Sequence, residues 1–274
     1  MTYWLGLPAL LFSQLAGSFH TGGAARVMLL SMLVATFAVI AVGYLVARSL
    51  KVPASAAGTL VQGAFRGNLA YVGLPIIYAM PEEMLAGGIS LRAAAIVVVA
   101  PMMVFYNTAG IAVLLVSQHA FGWRMIKPFL KQLVTTPPLV ATVAGITCAL
   151  MDWHLPLAID RTFAALGEMA LPLGLLSVGG SLVTVKLGDH WRAPLAAAFV
   201  KTMLSPALGW LVGHAWGLRG IELKALMIFM ATPTAVISYT VAVELKGEER
   251  IAAGAIVLST VLSLVSLIVI VGAF

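Results

Sequence analysis

Blocks of about twenty apolar residues, separated by short polar turns, organise this chain. A block of that length is what an α-helix needs to cross a bilayer. A short apolar segment at 3–17 is broken by Pro8, and a Gly/His/Thr loop at 18–23 leads to a span at 25–48 closed by Arg48 and Lys51. A block at 55–80 follows, then a turn at Pro81-Glu82-Glu83 and Gly87-Gly88, then a span at 92–116 with Tyr106 and Asn107 inside it. Beyond the longest polar connection, 117–132, come segments at 133–151, 160–183, 192–216, 222–245 and 251–273. The pattern predicts an all-α polytopic membrane protein, residues 1–274 forming a single transmembrane domain with nine visible segments.

Composition fits the pattern. Hydrophobic residues make up 61% of the chain and charged residues 9%, against roughly 25% charged in soluble domains. No polar run is long enough for a soluble domain. The net charge of +6 does not mark a nucleic-acid binder, because the basic residues sit singly at segment ends. Arg48, Lys51, Arg124, Lys127, Lys131, Lys186, Arg192, Lys246 and Arg250 fall on one side; Arg26, Arg92, Arg161, Arg219 and Lys224 fall on the other. The excess places the first side in the cytoplasm of a cell (inner or plasma) membrane protein, with the C-terminus outside. No Lys or Arg precedes Arg26, so the charged region of a cleaved signal peptide is absent.

Two blocks are interrupted by polar residues. The first carries Gln62, Arg66 and Asn68, together with Gly63, Gly67, Gly73 and Pro75. An Arg near mid-membrane costs at least about 2.5–3.5 kcal/mol, and irregular backbone at that depth must be buried in protein or line a wet cavity. The second block, 222–245, is interrupted by Thr232-Pro233-Thr234. A shift of 164 residues sets Leu7-Pro8 on Leu171-Pro172, Leu11 on Leu175, Ser13 on Ser177, and Arg66-Gly67-Asn68 on Met230-Ala231-Thr232. The two interrupted blocks then correspond. The first repeat, 1–116, has four visible spans and the second, 133–274, has five. An odd number of spans inverts the second repeat, and paired interrupted segments in inverted repeats point to a transporter's binding site. The same offset puts the partner of 133–151 before Met1, so nine of ten expected helices are visible.

The run Gln62-Gly-Ala-Phe-Arg-Gly-Asn68 through Gly73-Leu74-Pro75 resembles the auxin efflux carrier family in its bacterial branch. So do Leu171-Pro172 through Ser181, Ala231-Thr-Pro-Thr-Ala-Val-Ile-Ser238-Tyr239 and the Val257–Leu264 run. The resemblance implies two inverted five-helix repeats with two broken crossover helices. A scaffold would comprise about 3–17, 133–151 and 160–183; a transport domain would comprise 25–48, 55–80, 92–116, 192–216, 222–245 and 251–273. It also implies transport of small organic anions, auxin-like or dicarboxylate. The chain departs from the bacterial pattern at Leu69 and Ala70, where Thr and a small residue are commoner, and at Glu168, where a neutral residue is usual.

A broken helix presents free N–H groups at the start of its second half, with roughly half a positive charge. That end binds a carboxylate without a formal cation. Asn68 and Thr232, equivalent under the offset, are expected near the crossing. Asn68 is expected to donate to the substrate, with Gly67 beside it and Thr232, Thr234, Pro233 and Ser238 as further substrate-binding positions. Gly73, Pro75 and Pro233 are expected to hold the breaks. Arg66 reads as paired with backbone carbonyls or snorkelling, in preference to a direct salt bridge to substrate, with Gln62 one turn earlier on its face. Lys201 reads either as a fixed internal cation replacing a coupling ion or as a snorkelling side chain. Glu168 reads either as a proton-coupling carboxylate or as an interfacial partner of Arg161.

The expectation is a secondary carrier and not an enzyme. The five scattered histidines and the lone Cys148 suggest no metal or nucleophile, no phosphate loop is present, and no cofactor is expected. Proton or sodium coupling stays open. The partners expected are a small organic anion and the lipid bilayer, with homodimer formation left open. The alternatives are a sodium-coupled bile-acid-type symporter, a non-transporting sensor and a truncated inactive product.

Overall fold

The computed structural model describes residues 5–6, 8–9, 12–13, 23–85, 88–118, 137–151, 153, 155–184 and 191–273. Among these residues the fold is all α-helical and polytopic, with no strands. The predicted connections at 18–22, 119–136 and 185–190, and most of 3–17, lie outside the described residues.

Among the described residues, four helices are long and apolar enough to cross a membrane: α1 (Gly23–Ser49), α4 (Leu91–Ser117), α7 (Arg192–Ala215) and α10 (Glu249–Ala273). At 1.5 Å per residue each exceeds the roughly 30 Å of a hydrocarbon core. Their outer faces carry large apolar side chains in the open, Phe37 and Leu45 on α1 and Leu264 and Ile268 on α10 among them. Such surface suits lipid and not water. Between them run two helices that stop halfway. The 55–80 block is α2 (Ala54–Phe65) followed by α3 (Leu69–Ala79). The 222–245 block is α8 (Gly220–Ala231) followed by α9 (Ile237–Glu244). α5 (Pro137–Leu150) and α6 (Leu157–Thr184) complete the order.

The core encloses the two half-helix pairs. α2 packs on α1, α4, α7 and α10, and α8 packs on α7, α10 and α1. α6 meets the start of α3, and α5 meets α4. One ion pair fastens the far end of α3: Arg92 meets Glu82 at 2.5 Å, donates to the Tyr78 carbonyl and lies over the Tyr78 ring.

Pro75 and Pro206 are each preceded by a wide turn. α3 opens on a π turn, Leu69–Gly73, two residues short of Pro75. α7 contains another, Val200–Leu204, two residues short of Pro206. A proline has no N–H for the carbonyl four residues back and its ring crowds that carbonyl. Lengthening the preceding bonds to five residues, as from Ser205 N–H to the Val200 carbonyl, opens the turn and removes the clash. Gly73 and Pro75, expected at the break, therefore lie beyond it, inside α3.

Candidate functional site

α2 ends because Arg66 turns extended, at φ −75° and ψ 90°. α8 ends because Thr232 does the same, at ψ 146°, the conformation favoured in a residue before proline. The two extended pieces run past each other antiparallel, Gly67 opposite Thr234. Asn68 N–H donates to the Pro233 carbonyl at 2.8 Å, and Ala235 N–H donates to the Arg66 carbonyl at 2.9 Å. These bonds interchange under a local two-fold that carries Gly67 to Thr234, an offset of 167, the difference between 234 and 67. The sequence offset of 164 is therefore corrected by three residues at the crossing. The counterpart of Asn68 is Ala235, not Thr232. Matching apolar letters along helices leaves register loose by part of a turn; backbone pairing fixes it.

Breaking two helices orphans carbonyls at both first-half ends, and each needs a new donor. The Phe229 carbonyl would take its bond from residue 233, a proline; it takes the Thr232 hydroxyl instead, at 2.7 Å. The Met230 carbonyl would take Thr234 N–H, which instead goes to Ser259 Oγ at 2.9 Å; Lys201 Nζ donates to Met230 in its place. The Gly63 carbonyl accepts the Thr234 hydroxyl at 2.7 Å. Each hydroxyl has one proton to give. Thr232 and Thr234, expected to donate to a substrate, have already committed theirs to the frame.

On the other side of the crossing is a cavity of about 80 Å³, walled by Arg66–Tyr71 of the first break, Ala235–Ile237 of the second, and Met103, Tyr106 and Asn107 of α4. The start of α3 and the start of α9 both face it. Asn68 is the pivot. Its Oδ1 accepts from Tyr71 N–H at 3.3 Å and so caps α3. Its Nδ2 is buried and has no hydrogen-bond partner among the described residues. A donor left in that state costs about 1–3 kcal/mol, which a carboxylate oxygen would remove. Arg66, 2% exposed, donates through Nη2 to Asn107 Oδ1. Gly110 of α4 makes room for this group: a Cβ there would come within 2.9 Å of Gln62 Nε2 and 3.2 Å of Arg66 Nη1. The Gln62 amide, fully buried, has neither oxygen nor nitrogen partnered among the described residues.

The remaining expected positions fall as follows. Gly67 lines the cavity; Pro233 contributes its carbonyl to the crossing; Ser238 is buried, its hydroxyl unpartnered among the described residues, off the cavity wall. Lys201 is 0% exposed, so it does not snorkel. Glu168 is exposed on α6, outside the cavity, and forms no ion pair with Arg161 among the described residues. Asn107, Gly110 and Ala235 were missed as site residues. Asn107 carried a signal, an amide inside an apolar span; Ala235 carried none.

The family model of membrane transport proteins matches residues 3–271. The chain belongs to this family, the auxin efflux carriers. It is similar to an uncharacterized transporter of Methanocaldococcus jannaschii, 24% identical over 217 residues, covering 76% of this chain and 65% of that one. It is similar also to an uncharacterized transporter of Methanothermobacter thermautotrophicus, 27% identical over 139 residues, covering 50% of this chain and 45% of that one. The chain thus spans less than two thirds of the length of both relatives. Membership places the chain among membrane transport proteins.

Proposed function

We propose that this transport protein is a secondary carrier for small organic anions, working by alternating access around the crossed breaks. The observation that carries the reading is the cavity wall: Asn68, whose amide nitrogen has no partner among the described residues, lies on it between two helix starts, with Arg66 alongside. Helix starts and amide donors stabilise a carboxylate, and a buried guanidinium adds a full positive charge to the same wall. Among the described residues that wall carries Arg66 and no acidic side chain, which disfavours a cationic solute. The cavity's 80 Å³ is small beside the roughly 300–1,000 Å³ of sites for drug-sized ligands. That favours a short mono- or dicarboxylate over an indole-sized one. The core of α1–α4 and α7–α10 would move against α5 and α6, carrying the cavity between the two sides of a cell membrane. The basic-residue bias would set the C-terminus outside the cytoplasm.

The test is a counterflow screen in proteoliposomes loaded with malate, malonate, acetate or indole-3-acetate. Radiolabelled small carboxylate should accumulate well above the level in empty liposomes, and malate or malonate should exchange faster than indole-3-acetate. Accumulation equal to that of empty liposomes for every anion rejects the carrier; binding without flux would turn the reading to a sensor.

A further inference from the structure

The cavity lies on the side of the crossing where second-half helices begin. The opposite side, where first halves end, is occupied by Lys201. Its aliphatic stem descends from the π turn of α7, and its ammonium donates to the Met230 carbonyl in the last turn of α8. It lies close to the other break as well. A Cβ on Gly67 would stand 3.1 Å from Lys201 Cε and 3.2 Å from Nζ, and 2.5 Å from Thr232 Oγ1. The glycine at 67 is thus what lets the ammonium reach the crossing.

Charge decides what the group does there. The C-terminal end of a helix carries roughly half a negative charge. Two such ends, those of α2 and α8, meet at the crossing, so about one negative charge is gathered away from water. Hydroxyls of Thr232 and Thr234 satisfy individual carbonyls but bring no charge. Among the described residues no carboxylate stands within ion-pair distance of Lys201. The ammonium's counter-charge is therefore the pair of helix ends. In carriers built on broken helices this carbonyl-rich side is where a coupling sodium or proton is held.

We infer that Lys201 is a tethered cation: its ammonium fills the cation position at the carbonyl side of the crossing, and the protein holds the crossed state without a soluble metal cation. That the filled position serves anion transport rests on the function proposed above; the occupancy itself does not.

Thermal unfolding of the full chain in detergent, with no anion added, tests it apart from transport. The wild type should melt at the same temperature in sodium and in choline chloride. Lys201→Gln keeps a donor for Met230 and removes the charge; it should melt about 5 °C or more below wild type. Lys201→Ala leaves the position vacant, and sodium or methylammonium should raise its melting temperature saturably over the choline value. Neither salt should do so for Lys201→Gln. Stabilisation of the wild type by sodium overturns the inference. So does a Gln variant as stable as wild type, which would reduce Lys201 to a hydrogen-bond donor. So does an Ala variant no more cation-responsive than the Gln variant. A failed counterflow assay with these melting results intact would reject the carrier and keep the tethered cation.

Discussion

The break at Arg66–Asn68 and the break at Thr232–Thr234 share a backbone and differ in chemistry. Both stop a twelve-residue helix, both turn extended, and both lend one N–H and one carbonyl to the other. Yet the first lines the cavity with Arg66 and Asn68, while the second lines it with Ala235, Val236 and Ile237. The second keeps its polar side chains, Thr232 and Thr234, on orphaned carbonyls. The backbone frame is symmetric, and the polar side chains that the breaks contribute to the cavity wall come from one side. An internal repeat brings two helix starts together, but its own symmetry does not supply the specific donor. In the function proposed above, divergence at two pairs of positions, Arg66 with Pro233 and Asn68 with Ala235, supplies it.

The sharpest way to break this comparison is Asn68→Asp. The aspartate keeps an oxygen to cap α3 and replaces the Nδ2 donor by an oxygen bearing negative charge. A hydrogen bond to a charged group is worth about 1.5–3 kcal/mol, and like-charge repulsion adds to its loss. Affinity for malate or malonate, read by titration calorimetry, should fall at least about 100-fold. The melting temperature should stay within about 3 °C of wild type, because the cap survives. Unchanged affinity in a folded variant would show that the first break does not hold the anion.

Thr234→Val probes the other break, and its effect should appear in stability and not recognition. The methyl fills the hydroxyl's space and leaves the Gly63 carbonyl without its 2.7 Å donor. An orphaned buried carbonyl costs about 1–3 kcal/mol, more where no water reaches it. The variant should melt several degrees lower, while the folded fraction binds anion within about threefold of wild type. A loss of affinity comparable to that of Asn68→Asp would return Thr234 to the substrate side.

How legible this was in the sequence follows from the same contrast. The spans, the two interruptions and their correspondence are written in composition, because a bilayer forbids irregular polar backbone except where protein shelters it. Asn68 stood out for that reason. The register between repeats did not, since runs of Leu, Val and Ala align almost as well when slipped by three, and three residues separate Thr232 from Ala235. The direction of the threonine hydroxyls was equally hidden. A threonine beside a proline reads as a donor for anything nearby, and only the tally of orphaned carbonyls says which acceptor has it. Pro75 misled for a related reason: a proline marks a disturbed helix, but the disturbance at 69–73 is a widened turn and the gap lies before it.

The smallest expected effect is the most direct test of one-sidedness. Ala235 lines the cavity, is the two-fold counterpart of Asn68, and already donates its N–H to Arg66 across the crossing. Ala235→Asn therefore puts a second amide opposite the first without touching either break's backbone bonds. If its side chain follows the local two-fold, its oxygen caps α9 as Asn68 caps α3, and its nitrogen faces the cavity. A second donor to one carboxylate adds less than the first, because the anion's oxygens already share two helix starts. Dicarboxylate affinity should rise about threefold, within the ~0.5–1.5 kcal/mol of an ordinary net hydrogen bond, and the double variant Asn68→Ala/Ala235→Asn should recover part of the affinity that Asn68→Ala loses. Recovery would show that either break can carry the donor and that the first carries it by descent alone. No recovery in a folded double variant would show that Arg66, present on one side only, fixes where the anion's charge must sit.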